Sequence, residues 1–146
     1  MINDAKTDFL IIGTCQQLEK TSIQSIIIGD TVIKLSESVR NLGSWFDAFM
    51  RMNVHISKIC SKAFRGLYNI RQIRKVLTVQ STKTLIHAFV SSHLDYCNVL
   101  LFGLPKYQLD GLQKVQNAAA RVTFHIAKFD HITPALTDLH RLPSNV

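Results

Sequence analysis

The side chains of this chain that could do chemistry are mostly lysines and arginines, concentrated in one interval without acids. No aspartate or glutamate stands between Asp47 and Asp95. Cationic side chains without interleaved acids favour a polyanionic partner, because each can neutralise a phosphate. A solvated face that aids solubility is the alternative, but the length of the interval favours nucleic acid. The predicted nucleic-acid-binding residues are Arg51, Lys58, Lys62, Arg65, Arg71, Arg74 and Lys75.

The acidic residues do not form the pairs that metal-dependent phosphoryl transfer requires. All 10 stand singly, whereas a polymerase holds two divalent ions between neighbouring carboxylates. The six histidines are scattered, and no phosphate-binding glycine loop or nucleophile elbow is present. Cys15, Cys60 and Cys97 lie far apart without a Cys-x-x-Cys motif, which favours small buried residues over zinc ligands or disulfides. The residues alone therefore predict no catalytic residue, metal site or cofactor.

The elements that must position the cationic residues differ on the two sides of Asp47. Before it, residues 9–13 form an apolar run closed by glycine, and residues 39–46 are a further strand candidate. Residues 23–28 and 31–35, joined by Gly-Asp, have the pattern of a hairpin. A short helical turn is predicted just after the first run. The first part of the chain is therefore predicted to be a small β-rich piece.

After Asp47 the apolar spacing changes to that of helices. A helix over residues 51–77 would carry four cationic residues opposite an apolar stripe: Arg51, Lys58, Lys62 and Arg65. Thr78 is a predicted N-cap for a second helix, residues 106–123 form a third, and Pro134 opens a last short one. The residues predicted to face inward on the first two helices are Ile56, Ile59, Ala63, Leu67, Ile70, Leu85, Ile86, Phe89 and Val90.

Length and composition favour an ordinary folded domain. The 146 residues carry a net charge of +7, and no apolar run is long enough to span a bilayer. The polar start of the chain does not resemble a secretory signal, so an intracellular protein, cytoplasmic or nuclear, is expected. The predicted fold class is α+β, with a small antiparallel β piece over residues 1–47 and a mostly α-helical bundle over residues 48–146.

Six short strings, in order along the chain, carry a resemblance to a known family. They are DAKTDFLIIGT (4–14), VRNLGSWFD (39–47), LYNIRQIRK (67–75), HLDYCN (93–98), LQKVQNAAAR (112–121) and HITP (131–134). Together they resemble the C-terminal part of jockey-like, LINE-type reverse transcriptases, the RNA-directed DNA polymerases of non-LTR retrotransposons. Each string alone is weak evidence, whereas the ordered set extends over nearly the whole chain and would make it a fragment of a mobile-element protein.

The resemblance implies roles for particular residues. Residues 1–47 would be the end of the polymerase palm, and residues 48–146 a thumb-like helical region that tracks a primer–template duplex through its phosphates. Lys6 would lie near the phosphates of the incoming nucleotide and could act as a general acid. Asn41, Leu42 and Gly43 would form the primer grip, the hairpin that holds the primer 3′ end.

The resemblance also implies what this chain lacks. The full-length family would use Mg²⁺ held by an aspartate pair, together with fingers and the rest of the palm. This chain is therefore expected to need no cofactor and to be inactive alone as a polymerase, although the family is enzymatic. Ser44 stands where the family usually has an apolar residue, and Arg141 where a tryptophan is common.

Three functions remain open at this point. The first is a non-catalytic reverse-transcriptase remnant that binds an RNA–DNA hybrid or other duplex without sequence preference. The second is a free-standing basic helical module that binds nucleic acid. The third is a protein-interaction remnant without any nucleic-acid role, whose exposed apolar surface would drive self-association. No membrane partner is expected.

Overall fold

The computed structural model describes residues 6–96, 98–127 and 129–139. A short helix and two antiparallel strand pairs come first and further helices follow, so the predicted α+β class is confirmed. The chain divides into two compact units. The first ends at His55 and the second begins at Ile56.

The first unit contains a short helix and a β-hairpin. Helix α1 spans Cys15–Glu19 and is capped by Thr14, whose side chain and backbone exchange hydrogen bonds with Gln17. Strands β1 (Ser25–Ile28) and β2 (Thr31–Lys34) pair antiparallel, as the sequence predicts. The turn between them needs Gly29 because its φ is 60°, a conformation that costs a residue with a Cβ atom.

A second hairpin replaces the single strand predicted over residues 39–46. Strands β3 (Ser38–Asn41) and β4 (Ser44–Asp47) pair antiparallel, with Asn41 opposite Ser44. The predicted strand is interrupted by a two-residue turn, Leu42 and Gly43. The strand predicted over residues 9–13 is also absent, since Phe9 makes only an isolated bridge to Leu35. The strands therefore form two separate two-stranded sheets within the described part of the chain.

The carboxylate of Asp47 organises the turn that leads into the first long helix. Its Oδ1 accepts hydrogen bonds from the backbone N–H groups of Phe49 and Arg51, each at 3.0 Å, and its Oδ2 accepts one from Met52 at 3.0 Å. Helix α2 then begins at Asn53 and runs to Ile73. The helix thus starts two residues later than predicted.

The remaining elements are helical. A 3₁₀ turn, Arg74–Val76, follows α2. Thr78 caps α3 by accepting a hydrogen bond from the Ser81 N–H at 3.1 Å, as predicted. The other elements are α3 (Val79–Ile86), a π-helical segment (His87–Ser91), α4 (Ser92–Asp95), a 3₁₀ turn (Asn98–Leu101), α5 (Lys106–Phe124) and α6 (Thr133–Asp138).

The core of the second unit uses the apolar stripe that the sequence predicts on α2. Each of its five residues is at most 7% exposed: Ile56, Ile59, Ala63, Leu67 and Ile70. Ile86 and Val90 are also buried, but Phe89 is 55% exposed and does not point inward as predicted. The π-helical segment shifts the helical phase at Phe89, which periodicity at 3.6 residues per turn cannot show.

Two glycines allow helices to approach closely in this unit. A Cβ atom on Gly66 of α2 would lie 3.0 Å from the carbonyl oxygen of Phe89. A Cβ atom on Gly111 of α5 would lie 3.3 Å from Sγ of Cys60 on α2. Burial raises the pKa of the Cys60 thiol, so this cysteine stays a neutral packing group.

Candidate nucleic-acid interface

A stripe of three cationic side chains runs along the outer side of α2, and we call it the cationic stripe: Lys58, Lys62 and Arg65. All are exposed and are spaced by four and three residues, which places them on one helix face. With a rise of about 1.5 Å per residue, the stripe extends over about 10 Å. The buried apolar stripe lies on the opposite side of the helix. Because that side packs against the core, the cationic stripe faces the solvent.

Two exposed aromatic side chains flank the cationic stripe. Phe64 is 43% exposed and Tyr68 is 63% exposed. They are four residues apart and therefore neighbours on α2. Aromatic faces beside cations are typical of surfaces that bind single-stranded nucleic acid, because unpaired bases stack on the rings. We did not predict these residues, although their spacing on the side of α2 away from the apolar stripe was a usable signal.

Arg51 is not part of the cationic stripe. It lies in the turn before α2, because the helix begins at Asn53. Its guanidinium carbon is 4.6 Å from the centroid of the Phe49 ring, a cation–π contact. The side chain is exposed, so Arg51 remains a cation on the surface of the first unit.

The three other predicted cationic residues divide into two kinds. Arg71 and Lys75 are exposed and form no ion pair with a described residue. Arg74 is only 7% exposed and donates to the carbonyl oxygens of Val122, Leu77 and Thr123, at 2.9, 2.8 and 2.7 Å. Its guanidinium is therefore a structural clamp, and we leave it out of the interface.

The predicted primer-grip residues form the tip of the second hairpin. Leu42 and Gly43 are its two turn residues, with φ values of 46° and 87°. Two consecutive positive φ values are typical of a type I′ turn, which favours Asn-Gly because a Cβ atom is strained there. Leu42 is 83% exposed, so its apolar side chain stands in solvent on a strained backbone. Asn41 is also exposed.

A buried histidine holds the base of this hairpin. His55 is 1% exposed, and its Nδ1 accepts a hydrogen bond from the Trp45 N–H at 3.3 Å. Burial lowers the pKa of His55, so the imidazole is neutral with its proton on Nε2. Among the residues that the structure describes, that nitrogen has no hydrogen-bond partner, and the hydroxyl of buried Ser44 has none either. This histidine positions β4 and has no exposed nitrogen for acid–base chemistry.

The remaining prediction concerns Lys6, which is exposed near the start of the described chain. Asp8, two residues further along the chain, is exposed as well. Among residues 6–96, 98–127 and 129–139, no three histidine, cysteine or acidic side chains are grouped so as to hold a metal ion. The phosphate-contacting role of Lys6 therefore stays a prediction.

Comparison with known proteins adds no relative. No family model matches the chain, and neither the curated proteins nor the solved structures contain a match. Within the described residues, no helix combines the length and apolar character needed to cross a membrane.

Proposed function

We propose that this chain binds the sugar–phosphate backbone of a nucleic-acid duplex, such as an RNA–DNA hybrid, without sequence preference. The observation that carries the proposal is the exposed cationic stripe Lys58, Lys62 and Arg65 within an interval that contains no acid. Cationic side chains on a rigid helix can follow phosphates, which repeat regularly whatever the base sequence. The stripe reads no base edge, so little sequence preference is expected.

The proposal extends to ancestry: these residues derive from the end of the palm and the thumb of a jockey-like reverse transcriptase. The six strings in the sequence support this origin. The order of the elements, antiparallel hairpins before helices, is compatible with it. Since the chain has no neighbouring carboxylates in sequence, we expect no primer extension by the isolated protein.

The tip of the second hairpin supports a role in holding a primer end. A leucine at positive φ costs stability, and exposed strained residues cluster at binding sites. The side chain of Leu42 would gain burial by packing on the sugar or base at the primer 3′ end. This contact would offset the strain only when nucleic acid is bound.

The test is a binding titration with a labelled, blunt RNA–DNA hybrid of mixed sequence at fixed salt. The triple variant K58Q/K62Q/R65Q removes the cationic stripe. A matched control, K20Q/K34Q/K106Q, removes the same charge at three other exposed lysines. Each lost phosphate contact is expected to weaken binding by several-fold to about tenfold. Equal weakening in both variants would show that net charge, rather than the stripe, causes binding.

A second function, association between copies of the chain, is favoured by one observation in the first hairpin. Ile27 and Val32 are cross-strand partners, and they are 74% and 59% exposed. Such an apolar pair on a two-stranded sheet is a surface on which another apolar surface can pack. Light scattering after size-exclusion chromatography measures the oligomer. A dimer that I27K converts to a monomer would support association through this surface.

A further inference from the structure

A groove of about 590 Å³ lies between the C-terminal end of α2 and the last turns of α5. Its volume falls within the range of ordinary small-molecule sites. One wall comes from α2 and the 3₁₀ turn after it, and the other from α5 and the residues after its end. The lining residues are Arg71, Arg74, Lys75, Ala118, Arg121, Val122, His125 and Ile126.

Hydrogen bonds to backbone oxygens fix the two sides of this groove. Arg74 reaches from one wall to the carbonyl oxygens of Val122 and Thr123 on the other. Arg121 donates to the carbonyl oxygens of Ala127 and Asp130. Because these contacts join both walls and the chain beyond α5, the groove is preformed. Binding of a ligand would therefore cost little free energy for ordering the groove.

The groove carries an excess of positive charge that its own surroundings do not neutralise. Its lining contains four permanent cations and one histidine but no acid. The ends of the two helices contribute about −0.5 charge each, or about −1 together. The partial negative charge of the two helix ends therefore neutralises only part of the positive charge of the groove. Arg71 and Lys75 make no ion pair with any described residue, so they are available to an anion.

An apolar surface lies beside these cations. Ala118, Val122 and Ile126 line the groove on the α5 side and are half-buried. An inorganic anion alone would gain nothing from this surface, whereas a flat heterocycle would. The combination fits a ligand that has an apolar ring at one end and a phosphate at the other.

We propose that this groove binds a nucleoside monophosphate unit, with its phosphate on Arg71 and Lys75 and its base on Val122 and Ile126. The unit is either a free mononucleotide or the phosphorylated end of a strand, since the chemistry is shared. This site uses other residues than the cationic stripe. The proposal for the groove is therefore independent of the proposal for duplex binding. Either one can be correct when the other is wrong.

The experiment is isothermal titration calorimetry of the full chain with AMP and, separately, with inorganic phosphate. Saturable AMP binding that is about tenfold or more tighter than phosphate binding is expected, because the base adds apolar contact. Equal affinities for the two ligands, or no saturable heat with AMP, would overturn the proposal.

A pair of variants locates the site. R71Q/K75Q changes two exposed groove cations, and K58Q/K62Q changes two exposed stripe cations, so both remove the same charge. We expect the first to weaken AMP binding by about tenfold for each cation, and the second by less than about twofold. Equal weakening would place AMP elsewhere and overturn the assignment of the groove.

A third arm identifies the source of the ligand. A short single strand with a 5′-phosphate is compared with the same strand carrying a 5′-hydroxyl. Tighter binding of the phosphorylated strand, lost in R71Q/K75Q, assigns the groove to a strand end. Equal binding of the two strands, with AMP binding still lost in R71Q/K75Q, assigns it to a free nucleotide.

Discussion

Replacing Leu42 with asparagine should make the first unit more stable while weakening its contact with nucleic acid. Leu42 occupies the first position of a two-residue turn with a φ of 46°. The left-handed region costs a residue with a Cβ atom about 1–2 kcal/mol of conformational free energy, and asparagine is among the residues that tolerate it. Because the leucine side chain is 83% exposed, little burial is lost with it. We expect L42N to increase the free energy of unfolding by about 1 kcal/mol.

The assay is thermal unfolding followed by tryptophan fluorescence. Trp45 is the single tryptophan of the chain and lies in β4, directly after the turn. A gain of about 1 kcal/mol corresponds to an increase in Tm of about 4–8 °C for a unit of this size. The variant L42A is the matched control, because alanine removes the apolar side chain but keeps the strain.

The outcomes separate strain from function. L42N is expected to raise Tm, whereas L42A should leave it nearly unchanged. Both variants should bind an RNA–DNA hybrid with a recessed primer end more weakly than the wild type, if Leu42 packs on that end. A lower Tm for L42N would refute the strain argument. Unchanged binding by both variants would remove Leu42 from the interface.

Three further predictions concern the positions that hold the elements together. Replacing glycine with alanine inside a helix normally increases the stability of the helix by about 1 kcal/mol. G66A should nevertheless lower Tm, because its Cβ atom would lie 3.0 Å from the carbonyl oxygen of Phe89. R74M should destabilise the second unit by about 3 kcal/mol or more in urea unfolding, since three hydrogen bonds from a charged donor are lost. Burial lowers the pKa of His55, so its contribution to stability should be full above its ordinary pKa of 6.5 and be lost as the pH falls below it. A pH series of Tm should therefore decline more steeply in the wild type than in H55N, whose amide oxygen can still accept from the Trp45 N–H.

Each of these predictions has a result that contradicts it. N69A, at an exposed position of α2, controls for helix propensity, and a G66A variant as stable as N69A would deny the close helix approach. An R74M variant that loses less than about 1 kcal/mol would mean that the three carbonyl groups find other donors. Parallel pH profiles of the wild type and H55N would assign the acid sensitivity to other groups.

The elements with strong periodicity were predictable from the sequence. The apolar residues of α2 recur with helical spacing over about four turns, and Thr78 is a good N-cap, so the helix and its successor follow from local rules. The first hairpin was predictable because Gly29 marks the turn between two β-branched runs. The second hairpin was expected only from the resemblance of Asn41, Leu42 and Gly43 to a primer grip. Local rules do not indicate it, because Leu42 is an unfavourable residue for its turn.

The candidate site was predictable only in outline. Its charge led us to predict Arg74 on the surface, together with Arg71 and Lys75, but Arg74 is buried. Its burial depends on carbonyl oxygens that lie 48 and 49 residues further along the chain. Local sequence contains no information on such a distant partner. For the same reason, the groove beside Arg121 could not be foreseen.

The measurement that tests the central claim most directly is the salt dependence of binding to a blunt RNA–DNA hybrid. The logarithm of the binding constant falls linearly with that of the salt concentration, by about 0.9 for each phosphate contact. We predict that K58Q/K62Q/R65Q will have a slope shallower by about 2–3 than the wild type. K20Q/K34Q/K106Q should retain the slope of the wild type. Equal slopes for the wild type and K58Q/K62Q/R65Q would contradict the claim that the cationic stripe of α2 contacts the duplex.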